Sequence, residues 1–148
     1  MRRATILAAL TAAACSGGPP QPASLDTRNE SCAFCRMAIS DARLAAQIVA
    51  PAEEPKFFDD IGCLRNHLRE HPVASGSVVF VADHRTKAWV PAAQAVYTRL
   101  PGVETPMGFH LVAHADPASR DQDPDVKGGE SVPIADLFGP SGLPAGRR

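Results

Sequence analysis

The sequence predicts an α+β domain built around an antiparallel or mixed sheet. Three observations carry this: short β-branched or alternating runs recur along the chain, one amphipathic helix interrupts them, and 148 residues suit a single compact domain. From Met37 the pattern is strand-like, with Met37 to Ile39, a turn over Ser40 to Arg43, and Leu44 to Val49 reading as a hairpin. Lys56 to Asp59 is a second short apolar run. Ile61, Leu64 and Leu68 then fall at helical spacing, and Pro72 stops that helix. Ser77 to Ala82 is a β-branched strand, and Lys87 to Val90 pairs with it across a turn at Asp83 to Thr86. Pro91 to Val96 begins a short helix, and Gly108 to Ala113 is expected as the last strand.

The ends of the chain differ in kind from this middle. Met1-Arg2-Arg3, an apolar stretch from Ala4 to Ala14, and then Cys15 read as an export signal too short to span a bilayer. Leu10-Thr11-Ala12-Ala13-Ala14-Cys15 resembles a lipobox, with Ala12 where a branched residue is more usual, so residues 1–14 are expected to be cut away and Cys15 lipidated. Residues 15–30 form a Pro/Gly/Ser-rich tether, and residues 31–115 are the expected folded domain. Residues 116–148 hold five prolines, five glycines and six acidic residues in 33 positions. Such a composition does not build its own core, although Val132 to Phe138 is placed to dock as a short helix.

Charge narrows the function. A net charge of −1 offers no basic field for a phosphate backbone, so no nucleic-acid partner is expected. Loss of residues 1–14 removes Arg2 and Arg3, leaving 13 basic against 16 acidic residues, net −3. With Cys15 lipidated, the remaining thiols are Cys32, Cys35 and Cys63, an odd number that cannot close entirely into internal disulfides.

The chemistry-bearing motif is Cys32-Ala33-Phe34-Cys35-Arg36-Met37. Alone, Cys-x-x-Cys is a disulfide, half of a zinc site or a redox pair, and Arg36 rules out haem attachment because a histidine is required there. Met37 shifts the balance. On an extended segment Cys35 and Met37 point to one face, and a thiolate with a thioether suits Cu(I) better than zinc or magnesium. The other methionine of the mature chain, Met107, sits in Thr105-Pro106-Met107-Gly108, a turn rather than a core-packing context, and His110 follows three residues later with an imidazole.

Cys-x-x-Cys-x-Met, followed by Phe57-Phe58-Asp59-Asp60-Ile61-Gly62-Cys63, Ala88-Trp89-Val90 and Thr105-Pro106-Met107-Gly108, resembles the NosL family, copper-binding lipoprotein accessories of nitrous oxide reductase maturation. The resemblance runs from about Glu30 to Ala113. It implies ββαβ-like units and a periplasmic, membrane-anchored lipoprotein, placed at the outer membrane. It further implies a Cu(I) chaperone rather than an enzyme, delivering copper to nitrous oxide reductase with its ABC-type maturation complex. Cys35 and Met37 are carried over first as ligands and Met107 next, with Cys32 and His110 as alternatives. Family members usually have glycine where this chain has Arg36, which bears on the local turn and not on the ligands.

Two other constellations compete. His67-Leu68-Arg69-Glu70-His71 matches the inverted zinc-peptidase pattern, but Pro72 ends the helix and no downstream third ligand is offered. Cys32, Cys35, Cys63 and His67 make a Cys₃His set suited to structural zinc, giving the rival reading of an exported zinc-stabilised binding module. Cys63 is otherwise a buried free thiol, a disulfide partner of Cys32 or an auxiliary copper donor. His84 and His114 read as surface residues.

Overall fold

The computed structural model describes residues 18–139 and Leu143. The expected signal segment and Cys15 lie outside the described residues. Within them, no helix is long and apolar enough to cross a membrane.

The fold is α+β, with three helices and two small antiparallel sheets rather than one among the described residues. The first sheet has the order β2-β1-β3-β4, from β1 (Ala46–Val49), β2 (Lys56–Phe58), β3 (Val78–Ala82) and β4 (Trp89–Pro91). The second has the order β6-β5-β7, from β5 (Val96–Arg99), β6 (Leu111–His114) and β7 (Glu130–Val132). Helix α1 (Ile61–Glu70) joins β2 to β3, and α2 (Pro117–Asp121) with a 3₁₀ turn (Pro124–Val126) lies between β6 and β7. Two units of the same plan follow one another: a hairpin, a helical crossover, then a third strand pairing on the free side of the first. The ββαβ-like units implied by the resemblance are therefore present twice.

The helix α1 forms for the expected reasons. Ile61, Cys63 and Leu64 bury one face. The Asp60 side chain accepts from the Cys63 N–H, and the chain turns extended at His71, just before Pro72. Asp116 caps α2 in the same way by accepting from the Ser119 N–H at 2.7 Å.

Four expectations are corrected. Met37 to Ile39 is not half of a hairpin with Leu44 to Val49; Ala38 instead bridges Ser31, and β1 takes β2 and β3 as neighbours. Pro91 to Val96 does not begin a helix: Pro91 ends β4, a turn over Ala92 to Gln94 follows, and Val96 opens β5, pairing with His114. The strand ending near Ala113 is not the last, since β7 pairs with β5. His84 and His114 are not surface residues: they are 2% and 0% exposed, covered by a segment whose composition hid its structure.

One apolar core serves both sheets. It joins Ile48, Phe58 and Val81 of the first unit to Tyr97, Leu111 and Ala113 of the second, with Ile61 and Leu64 of α1 between them. Leu137 of α3 (Ile134–Phe138) is buried in the same core, and Phe138 stacks edge-on against Tyr97 at 5.8 Å. Within Val132 to Phe138, Val132 ends β7 and Ile134–Phe138 form α3.

Candidate metal centre

Cys32 to Met37 is a tight reversed loop. Its ends are closed by the Ser31–Ala38 bridge and by Ile39 N–H to Glu30 C=O at 3.2 Å. Inside, Cys32 N–H donates to Met37 C=O at 2.8 Å and Arg36 N–H to Cys32 C=O at 3.0 Å. The segment is therefore not extended, and the shared face expected for Cys35 and Met37 is replaced by a knuckle. Arg36 takes φ 68°, the left-handed region that suits glycine. This is the physical reason a glycine belongs there, and Arg36 bears a backbone cost in its place.

The knuckle is pinned to β2 by Ala33 N–H to Phe57 C=O at 2.7 Å. It thereby meets the junction of β2 and α1. Cys32, Cys35, Asp59 and Cys63 each place a donor atom there, all within 4.8 Å of one another. All three cysteines are free thiols; Cys32 and Cys63 are buried and Cys35 half-buried. Cys35 Sγ donates to Asp59 Oδ2 at 3.4 Å, while Asp59 Oδ1 is buried with no hydrogen-bond partner among the described residues. A buried carboxylate beside three sulfurs, with one oxygen left without a donor, suits a cation.

The thiols are electrically unequal. The Cys63 thiol donates toward Cys32 and holds it down, to about 6, outweighing burial, with the N–H groups of Asp59, Cys35 and Phe34 acting the same way. Cys35 is pushed up to about 11, chiefly by burial, against the help of the Met37 N–H. Cys63 is driven far above its ordinary value because it is the hydrogen-bond donor to Cys32 and is itself desolvated. Cys32 is therefore the sulfur that most readily gives up its proton, and Cys35 and Cys63 hold theirs more firmly.

The second motif reaches the same junction from another direction. Met107 N–H donates to Asp60 Oδ2 at 3.0 Å, while Asp60 Oδ1 accepts from Cys63 N–H at 2.7 Å. Burial raises the Asp60 carboxyl above its ordinary value, with those two N–H groups pulling against it. Phe109 lies directly on Gly62, where a Cβ would collide with its ring, and the Arg65 guanidinium sits 4.8 Å from the ring centroid. Consecutive aspartates thus fasten the two sulfur motifs side by side: Asp59 holds Cys35, and Asp60 holds the Met107 turn. Met37 and Met107 are 51% and 44% exposed, the large apolar side chains left open to solvent among the described residues.

The remaining candidates fall as follows. His110 has φ 55° and precedes β6 rather than lying in a strand. Its Nδ1 bonds to Val103 C=O at 2.8 Å, and it lies outside the thiol cluster. His67 is also outside the cluster, its ring in tilted contact with Phe58 at 5.1 Å and His71 at 4.6 Å, so the fourth donor beside the three sulfurs is Asp59 and not His67. Asp59 was missed by sequence reasoning, although its place immediately before the helix cap was visible. A second group, His84, His114 and Asp123, was missed altogether.

Fold and site together define a small α+β domain with a thiol-rich metal-binding cluster at a strand–helix junction. The family model NosL matches residues 22–138, and the chain belongs to the NosL family. The match extends beyond the expected domain into the C-terminal region, in keeping with the docking of β7 and α3. No curated protein and no solved structure was found to match. Family membership and the Cys₃Asp cluster fit a copper-binding role.

Proposed function

We propose that the protein is a non-enzymatic Cu(I) carrier, exported, anchored to a membrane through a lipid on Cys15, and supplying copper for assembly of the copper–sulfide centre of nitrous oxide reductase. The observation that carries the reading is the gathering of three free thiols at one carboxylate, with donor atoms within 4.8 Å. Thiolates favour Cu(I), and the exposed Met37 and Met107 add thioethers that zinc does not select.

A carrier must hold its ion and still release it. Cys35 stands at the boundary, half-buried beside the buried sulfurs and two residues from an exposed thioether. Cu(I) entering by Met37 and Met107 would be taken by Cys35 and Cys32, the Cys35 proton leaving by way of Asp59 Oδ2. Release reverses this by ligand exchange with a partner's donor. His110 remains an alternative ligand. The recipient is the reductase together with its ABC-type complex.

Anaerobic loading of the reduced protein with Cu(I) or Zn²⁺, followed by metal analysis and chelator competition, tests this. Stoichiometric Cu(I) that is weakened by Cys35→Ser, Met37→Leu and Met107→Leu is the expected result. Retention of zinc in preference to copper, indifferent to both methionine substitutions, supports the zinc module instead. Cys15→Ala is expected to release the protein from membranes.

A further inference from the structure

We infer that the seam between the two ββαβ units carries a second metal site, formed by His84, His114 and Asp123 and suited to a divalent ion of the zinc class rather than to Cu(I). The inference is independent of the copper reading, because it shares no residue with the thiol cluster.

The geometry follows from the seam between the sheets. Asp83 forms a parallel bridge with Ala113, and His84 N–H donates to Ala113 C=O at 2.8 Å, so the residue after β3 lies beside the end of β6. This sets the His84 and His114 rings 6.0 Å apart. The chain leaving α2 then returns Asp123 over them. Its Oδ1 is engaged by Asp125 N–H at 3.0 Å, and its Oδ2 faces His84 Nδ1 at 2.7 Å and His114 Nε2 at 2.9 Å. The three side chains are 2%, 0% and 3% exposed, and their donor atoms lie within 4.8 Å of one another. Two imidazoles and a carboxylate are a borderline-to-hard donor set, the kind zinc uses with three protein ligands and an open position. Donors around such an ion stand about 3.4 Å apart, so the His84 ring would part from the carboxylate by about 0.7 Å and the His114 ring by about 0.5 Å.

A separate observation points to a ligand. His114 Nδ1 and Thr98 Oγ1 are both buried without a hydrogen-bond partner among the described residues. Thr98 and His114 share a face of the β5–β6 ladder, since Thr98 pairs with Val112 and Val96 with His114. Thr98 and Asp123 also line one cavity of about 450 Å³, with Asp121 and Lys127 in its wall. Buried polar atoms left in this way ordinarily meet water or an ion. A water held by Thr98 would complete the ion's coordination or receive the His114 Nδ1–H, fixing the ring as metal-bound histidines require. The cavity is the entry path.

The test follows the histidine ring nitrogens by NMR in the full chain as Zn²⁺ is added, alongside equilibrium dialysis of wild type, Asp123→Asn and His114→Gln. Zinc is expected to move the His84 Nδ1 and His114 Nε2 resonances, and each variant to weaken that binding by at least about tenfold while leaving Cu(I) loading of the thiols intact. Ring resonances that stay still in excess zinc overturn the inference and leave a hydrogen-bonded clasp. Zinc-induced shifts that persist unweakened in Asp123→Asn overturn it as well. If His114→Gln fails to fold, the wild-type resonances still decide.

Discussion

Asp60 holds Met107 by its backbone, accepting the Met107 N–H at 3.0 Å with one oxygen while the other caps the helix bearing Cys63. One carboxylate therefore fixes both an inner thiol and an outer thioether. Asp60→Ala is expected to cost about 1–2 kcal/mol of stability through the lost cap and to weaken Cu(I) binding, with Asp60→Asn recovering much of the stability. Urea unfolding of apo and copper-loaded protein separates the two effects.

Gly62→Ala drives a methyl into the Phe109 ring. The expected loss is about 1–3 kcal/mol. Because Phe109 lies two residues beyond Met107, Cu(I) affinity is expected to fall although every ligand is retained. A variant of unchanged affinity would show that the turn does not present Met107.

Arg36→Gly removes the cost of a left-handed backbone at the knuckle. Stability is expected to rise by about 1 kcal/mol, read as a higher urea midpoint with the slope unchanged. Copper stoichiometry should not alter.

Much of this was legible beforehand, and the failures have a common cause. Helix α1 was visible because Ile61, Leu64, Leu68 and Pro72 all specify one element within a dozen residues. The strand β3 and its partner β4 announced themselves by β-branching and a short turn. The knuckle was visible as a motif but not as a shape, since the φ of Arg36 is set by closure of the loop on Ser31 and Ala38. Asp59 and the His84–His114–Asp123 group depend on pairing between distant segments, as with the 39 residues separating His84 from Asp123. Composition left the segment after Asp116 without expected structure outside Val132 to Phe138, so α2, the 3₁₀ turn and the pairing of β7 were not foreseen.

Leu137→Ala tests the packing of that segment. Truncating this side chain is expected to destabilise the whole domain by about 2–4 kcal/mol, shifting a single unfolding transition. A loss below about half a kcal/mol would mean the C-terminal segment is only loosely applied.

Acid sensitivity is expected to reside at Asp83. Burial pushes its carboxyl up, but N–H groups of Ala115 and Thr86 and the Ser119 hydroxyl outweigh that and hold it well below its ordinary value. A depressed folded-state value gives stability that is complete above the unfolded carboxylate range, near about 4, and is lost as pH falls below it. Asp83→Asn should be less stable at neutral pH and show a shallower acid limb in denaturant titrations between neutral and acid pH.

The two matched helix caps carry a consequence of their own. Asp60 and Asp116 each bind the N–H three residues on, and the residue so held is Cys63 in one unit and Ser119 in the other. Equivalent positions of a doubled architecture thus differ by a sulfur in place of an oxygen. In the first half the capped residue therefore turns a soft donor toward the thiol cluster, whereas in the second its hydroxyl donates to Asp83 Oδ2 at 2.7 Å and steadies the seam beside His84.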